Sequence, residues 1–377
     1  MKICYIAPTN SIHTKRFISF FKNRGHNIYL ISFEKVINSN DFKDIIIYYI
    51  PIKFKKLGVL YFRILFKIKK ILKEINPDIL HSHYLIPYGW LGAFSGFKPF
   101  VISIWGSDFL SKKAKFFIYK ILNKFTLKKA DLIVTDSNYV ISICNKITNF
   151  KVKTFLFFFS PDFDKFDSKG NLNLLMKNLN ISKGTKVILC PRGFSPVYNN
   201  ETILKSIPEI VKKFDNIVFL FIIKSFEKNK KFSKKLVKLI NKLKIENYVR
   251  IIDEVEYGKM PLYYKLSDIV ISIPKTDTLA ATIFEAMTMG KPLILSNLIY
   301  YSGIIENEKN ALTVDCKNSD EVARAVISLL ENKTLYKKIK YNGIITVKKY
   351  GDLKNNIFKL EEIYKSLYNK KEHKNEV

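Results

Sequence analysis

Residues 272–296 read SIPKTDTLAATIFEAMTMGKPLILS, and this stretch decides the fold. It begins at the end of the apolar run Asp268-Ile269-Val270-Ile271-Ser272-Ile273, which is short, β-branched and stopped by Pro274, as a buried parallel strand would be. The polar loop Lys275-Thr276-Asp277 follows. Thr278 then offers an N-cap side chain to a helix on which Ile283, Phe284 and Met287 fall at helical spacing, and Gly290 with Pro292 closes it. Leu293 to Ser296 is a second strand, so the stretch spells one βαβ unit. Two acids stand out in it. Asp277 lies just outside the helix N-terminus, and Glu285 lies roughly two turns inside an otherwise apolar helix. The N–H groups of Leu279, Ala280 and Ala281 lack intrahelical partners there and favour an anion such as a diphosphate. From this stretch alone, an ordinary loop and a helix with one solvated Glu is the alternative.

Working outward, 377 residues make about two domains, with 47% apolar residues and no uncharged apolar run near the roughly 18 needed to span a bilayer. The opening Met1-Lys2-Ile3-Cys4-Tyr5-Ile6-Ala7-Pro8 is too short for a signal peptide and reads as a first strand, so a cytoplasmic protein is expected. Cys4, Cys144, Cys190 and Cys316 are scattered, which favours reduced thiols over zinc or a redox pair. The net charge of +31 could serve nucleic acid, an anionic membrane or an acidic substrate. Only six of the 64 basic residues are Arg, the residue of bidentate base and phosphate recognition, so no nucleic-acid partner is expected. A Lys-, Ile- and Asn-rich compositional bias is the other source of such charge.

The first half alternates strand and helix. Lys2 to Ala7, Asn27 to Phe33 and Ile45 to Ile50 are strands, with a helix through Thr14, Phe17, Ile18 and Phe21 between the first two. No Gly-x-Gly-x-x-Gly follows the first strand, which counts against a nicotinamide or flavin enzyme. Residues 53–73, KFKKLGVLYFRILFKIKKILK, put Leu60, Ile64, Leu65, Ile68, Ile71 and Leu72 on one helical stripe. That stripe can pack on the sheet while Tyr61, Phe62 and Phe66 point outward, where with the lysines they suit an anionic bilayer, peripheral on the inner face of the plasma membrane. Strands at Pro77 to His83, Pro99 to Trp105, Asp131 to Thr135 and Lys151 to Phe159 follow, with a basic helix in residues 112–129. His81 and His83 share a strand face, yet no third ligand stands at suggestive spacing, so no metal is expected. His83 ends its strand and can reach a ligand; His81 reads as a hydrogen-bonded core residue.

The polar segment 160–185 marks a boundary, after which the pattern restarts at Lys186 to Cys190 and Pro191-Arg192-Gly193. Arg192, at a strand's carboxyl end, suits an anion contact. The expected domains are residues 1–165, residues 166–345 and a helical tail, 346–377, packing back toward the first.

Two doubly wound halves, His83 after one strand, Trp105-Gly106-Ser107-Asp108 after another, Arg192 opening the second half and Asp277 with Glu285 closing it resemble the retaining, nucleotide-sugar-dependent glycosyltransferases of the GT-B fold, family-four type (glycosyl transferases group 1). Residues 249–268, with Val255, Pro261 and Tyr264, and residues 284–292 carry the most specific part of the likeness, which spans nearly the whole chain. The resemblance implies an α/β, GT-B-like fold whose two Rossmann-type domains face across a cleft and close to exclude water, with the acceptor on the first and the donor on the second. It implies that Glu285 accepts from ribose hydroxyls and Asp277 touches the donor sugar. Thr278 and the N–H groups of Leu279 and Ala280 meet the diphosphate, Val255 joins the donor site, and Arg192 neutralises the leaving nucleoside diphosphate. His83 looks like the residue facing the anomeric centre, with Asn10, His13, Trp105 and Asp108 lining the acceptor side. No cofactor is implied beyond the nucleotide-sugar co-substrate, and a cell-envelope glycan or lipid-linked acceptor suits a basic peripheral enzyme of polysaccharide or lipopolysaccharide assembly.

Four departures matter. Asn10-Ser11-Ile12-His13 replaces the family's Gly-Gly loop, and the first acid is Asp rather than Glu. Val197 stands where the Arg-x₄-Lys pair has its Lys, leaving Lys224 or Lys275 as substitutes, and Ser160-Pro161-Asp162 replaces Gly-Val-Asp at the hinge. Asp162-Phe163-Asp164 spells the Asp-x-Asp of metal-dependent transferases but lies in the linker. A 2-epimerase-like enzyme of the same fold, or a non-catalytic basic membrane- or nucleic-acid-binding protein, are the alternatives.

Overall fold

Apolar runs buried on both faces, such as Phe100-Val101-Ile102-Ser103-Ile104 and Ile217-Val218-Phe219-Leu220-Phe221-Ile222, can only be central strands of parallel sheets. The computed structural model describes residues 1–36, 42–51, 59–106, 116–158, 160–161, 166–167, 170–223 and 229–375. These runs form two all-parallel sheets in it. The chain divides into two units, residues 1–157 with 354–377, and residues 158–353.

The first sheet comprises β1 (Lys2–Ile6), β2 (Asn27–Ser32), β3 (Ile46–Tyr49), β4 (Ile79–His83), β5 (Phe100–Ile104), β6 (Leu132–Thr135) and β7 (Lys153–Leu156), in the order β3-β2-β1-β4-β5-β6-β7. Its strand order reverses between β1 and β4, which pair through Ile3 with Ile79 to Ile6 with Ser82. Such a switch point is where an open α/β sheet leaves a crevice for ligand. Helices α1 (Ile12–Asn23), α2 (Val59–Ile75), α3 (Trp90–Ser95), α4 (Phe117–Lys129) and α5 (Asn138–Thr148) connect the strands. One continuous core runs through Ile6, Ile64, Ile68, Leu72, Leu80, Ile102 and Leu127, so the buried stripe of α2 packs on the sheet. Tyr61 is half-buried, while Phe62 and Phe66 are exposed.

The second sheet comprises β8 (Lys186–Cys190), β9 (Ile217–Ile222), β10 (Val249–Ile252), β11 (Ile269–Ser272), β12 (Leu293–Ser296) and β13 (Leu312–Val314), in the order β10-β9-β8-β11-β12-β13. Its switch point lies between β8 and β11. The helices of this unit are α6 (Leu172–Asn178), α7 (Asn200–Val211), α8 (Lys230–Leu243), α9 (Met260–Leu266), α10 (Ala281–Thr288), α11 (Ser319–Glu331) and α12 (Lys333–Tyr350).

Several local expectations shift. The helix after β11 is not capped by Thr278. It begins at Ala281 with Ala280 at the N-cap and no side-chain cap, because Thr278 stands two residues before that N-cap, buried in the preceding turn, where its N–H is given to the Asp277 carboxylate. Gly290 does close that helix. Its φ of +61° is a left-handed conformation that disfavours a side chain. Helix α6 lies inside the segment read as a polar boundary, started by Asn171, whose side chain accepts from the N–H of Leu174. Helix α12 runs through residue 346, where the tail was expected to begin. The tail proper is α13 (Leu353–Asn375), held to the first unit by Glu361 on Arg24 (2.5 Å) and His26 (3.0 Å) and by Tyr364 stacked on Phe21.

Candidate functional site

In the second unit, β8 ends at Cys190 and β11 at Ser272, side by side at the switch point, and each strand delivers one charged residue just beyond its carboxyl end. Arg192 Nη2 donates to Asp277 Oδ2 at 2.8 Å, with the two side chains only 16% and 20% exposed. Arg192 Nη1 donates to Thr282 Oγ1 at 3.3 Å, and the guanidinium lies over the Tyr198 ring, 4.3 Å from its centroid. Ionic, hydroxyl and cation–π contacts therefore fix one cation, and a side-chain hydrogen bond with Tyr198 adds to them.

Burial works against the charged Arg192, but the Asp277 carboxylate and the phenols of Tyr198 and Tyr301 outweigh it and hold its pKa above the ordinary value. Burial also lifts the Asp277 carboxyl above its usual range, against the pull of Arg192 and of the Thr278 N–H. Thr282 sits in the first turn of α10, so Arg192 is fastened to a helix start that carries no side-chain cap. Leu279 is buried, Ala280 half-buried, and Val255 half-buried in the loop after β10. Glu285 is 4% exposed within α10 and accepts from the Tyr264 hydroxyl at 2.8 Å. It is therefore not the solvated Glu of the plain alternative.

In the first unit, the corresponding switch point gathers aromatic rings. His83 ends β4 with no exposed surface. Its Nδ1 lies 3.2 Å from Thr14 Oγ1, and its Nε2 has no partner among the described residues. Phe17, Tyr5 and Trp105 surround it edge-on at 4.9, 5.4 and 5.8 Å. His13 stacks on Trp105 at 4.8 Å. Burial, with His81 and His13 adding to it, pushes His83 well below the usual imidazole range. Burial with Arg16 lowers His13 to about 3, and burial alone lowers His81 to about 3. All three are neutral at physiological pH. Both nitrogens of His81 are engaged, with Ser103 Oγ at 2.7 Å and Tyr364 Oη at 2.5 Å. Among the described residues no group of three or more His, Cys, Asp or Glu could hold a metal ion. Asn10 is exposed in the turn after β1. Asp108, Lys224 and Asp162-Phe163-Asp164 lie outside the described residues.

The structure thus groups Arg192, Asp277, Thr278, Leu279, Ala280 and Glu285 around one strand-to-helix junction, and His83, His13 and Trp105 around another. Sequence reasoning missed Tyr198 and Thr282 as partners of Arg192. It quoted Tyr264 without a role, although a Tyr facing into a core needs a hydroxyl partner.

Two doubly wound parallel-sheet domains of this kind make the chain a GT-B-type protein. It is similar over 97% of its length, and over 98% of the other chain, to a glycosyltransferase from Rickettsia africae (TM-score 0.80, 22% identity). It is likewise similar to Anabaena HepE, solved in complex with UDP-glucose, over 97% of its own length and all of that chain (TM-score 0.81, 15% identity). Two family models match in tandem, Glycosyl transferase 4-like over residues 2–137 and Glycosyl transferases group 1 over residues 173–346. The chain belongs to the group 1 glycosyltransferases. An uncharacterized glycosyltransferase of Methanocaldococcus jannaschii is 21% identical over 83% of this chain and 82% of its own. No described helix is long and apolar enough to cross a membrane.

Proposed function

We propose that this glycosyltransferase moves a sugar from a nucleoside diphosphate sugar to a cell-envelope glycan or lipid-linked acceptor, with retention at the anomeric carbon. The observation that carries the donor assignment is the Arg192–Asp277 pair at the β8/β11 switch point, fastened to the start of the helix that also holds Glu285. Support comes from HepE, a structural neighbour solved with UDP-glucose.

As the bond between the anomeric carbon and the diphosphate oxygen breaks, negative charge grows on the leaving group. Arg192 carries a fixed positive charge there, already oriented by Asp277, Thr282 and Tyr198, so little reorganisation is needed when it acts. Glu285 accepts from the ribose hydroxyls, and the N–H groups at Leu279 and Ala280 meet the phosphates. Retention follows when the acceptor oxygen attacks on the face from which the diphosphate departs, its proton passing to a departing phosphate oxygen. No protein group is needed as the base. His83, held neutral, serves as a hydrogen-bonding group rather than an acid. Asn10, His13 and Trp105 are assigned to the acceptor.

Calorimetric titration with UDP, GDP and ADP tests the reading. One of the three should bind, and Glu285→Ala should abolish that binding in a chain whose melting is lowered but cooperative. Absence of binding by all three removes the donor assignment.

A further inference from the structure

Helices α2 and α4 share a design that the donor chemistry does not use. On α2, Phe62 and Phe66, one turn apart, are 76% and 72% exposed. On α4, Phe117 is 79% exposed, Ile121 lies one turn further along the same face, and Phe116 and Ile118 flank them, all exposed. Each apolar face occupies the N-terminal part of its helix. Toward the C-terminal part the same faces turn cationic, through Lys69, Lys70 and Lys73 on α2 and Lys124 and Lys128 on α4, all exposed.

The two apolar ends belong to one place. Every strand of the first sheet is parallel, so each returning helix starts at the carboxyl edge of the sheet. Helix α3 packs against both α2 and α4. The Tyr119 phenol of α4 raises the pKa of Tyr61 on α2, second to burial, and Tyr119 also packs on Trp90 of α3 at 5.0 Å. The result is an aromatic knob at the carboxyl edge of the sheet, ringed by ammonium groups. Helix α4 contains no acid and α2 contains only Glu74, near its C-terminal end.

We infer that this knob docks the first unit onto an anionic lipid surface, the aromatic rings entering the headgroup layer and the flanking lysines meeting the phosphates. A second copy of the chain does not fit, because it would bring a cationic ring against its like. Water-exposed aromatics framed by snorkelling lysines suit an interface that is apolar in depth and negative at its rim. Docking at the carboxyl edge holds the β1/β4 switch point, with His13 and Trp105, toward the membrane surface. The inference therefore deepens the lipid-linked acceptor assignment and rests on it for purpose, though not for the binding itself.

The test is co-sedimentation of the full chain with phosphatidylcholine vesicles containing about 30% phosphatidylglycerol, against phosphatidylcholine alone. Binding is expected only to the anionic vesicles. It should weaken as salt rises from about 0.1 M to about 1 M, where screening shortens from about 10 Å to about 3 Å. Phe62→Ser with Phe117→Ser should cut it roughly tenfold with melting unchanged. If that pair lowers melting, Phe66→Ser with Ile121→Ser reads the same surface. Wild-type affinity in both double variants would reduce the effect to bulk charge and overturn the docking knob. So would equal binding to neutral vesicles, no binding to either, or vesicle-free self-association that the substitutions abolish. Nucleotide binding measured on the same lipid-free samples separates these failures from a failure of the donor assignment.

Discussion

The two sheets place residues at the same topological point and equip it with opposite chemistry. At the carboxyl ends of β1 and β4 stand neutral imidazoles in an aromatic nest. Beyond β8 and β11 stands an ionised pair, Arg192 and Asp277, with the buried Glu285 in the adjoining helix. All five histidines, His13, His26, His81, His83 and His373, lie in the first unit, and residues 158–353 contain none. The contrast suits a division of labour. A diphosphate needs fixed charge of opposite sign, whereas an acceptor can be held by neutral hydrogen-bonding groups and apolar ring faces.

The largest expected effect breaks or keeps that division directly. Arg192→Ala should weaken nucleoside diphosphate binding by about 100-fold or more, because it removes the cation and leaves Asp277 without its partner in a largely buried site. His83→Ala should leave the same affinity within about twofold while turnover falls by about 100-fold. Calorimetry and a product assay read the two separately. Equal loss of nucleotide affinity in both variants would end the distinction between the two switch points.

Acid should separate the units next. His13 and His81 sit near 3 and His83 well below its usual value in the folded chain, against about 6.5 when unfolded, so the unfolded chain takes up protons first. Their contribution is whole above about pH 6.5 and is lost progressively as pH falls toward the folded values. Asp277 acts in the reverse sense: its raised pKa favours the folded form as pH falls through the carboxylate range. Limited proteolysis near pH 5 should therefore cut within residues 1–157 while fragments covering β8 to β13 survive. Simultaneous loss of both units would show that carboxylates govern acid unfolding instead.

A smaller effect concerns the position where this chain lacks the lysine of the Arg-x₄-Lys pair. The Lys275 N–H donates to the Val197 carbonyl at 2.8 Å, which lays the Lys275-Thr276-Asp277 loop against Val197, and the Lys275 side chain is exposed. Lys275→Ala should weaken nucleotide binding by roughly threefold to tenfold, the scale of one exposed cation on a phosphate. The same change should cost less once Val197→Lys is present, so the two substitutions should be non-additive. Additive effects would mean that Lys275 does not stand in for the missing lysine.

These contrasts also show which features a sequence exposes. The strands were readable because parallel strands buried on both faces must be unbroken apolar runs, and the turn residues between them are few. The positions of His83, Arg192 and Asp277 were readable for the same reason, since each closely follows such a run. The helix start after Asp277 was not, because Thr278 has cap chemistry but lies buried two residues before the helix's N-cap, a placement made by tertiary packing. Tyr198 and Thr282 were invisible because they reach Arg192 from separate loops and turns, and no spacing links residues 192, 198 and 282. The fate of His83 was half legible: its strand end was plain, its complete burial by Phe17, Tyr5 and Trp105 was not.

The smallest expected effect tests how Glu285 is held. The Tyr264 hydroxyl donates to it at 2.8 Å from α9, and burial, with the Glu285 carboxylate next, raises the Tyr264 pKa well above the ordinary phenol value, so the hydroxyl keeps its proton. Tyr264→Phe removes one neutral-to-charged hydrogen bond and little volume, which should lower stability by about 1–2 kcal/mol and nucleotide affinity by roughly threefold. Glu285→Gln should retain an acceptor for Tyr264, and with it most of the stability, while losing the charge proposed to receive the ribose hydroxyls. A thermal melt and a titration on each variant then distinguish support from contact. If Tyr264→Phe weakened nucleotide binding as much as Glu285→Gln, the second switch point would depend on the orientation of its acid as much as on its charge. That outcome would bring it closer to the neutral, packing-held chemistry of the first.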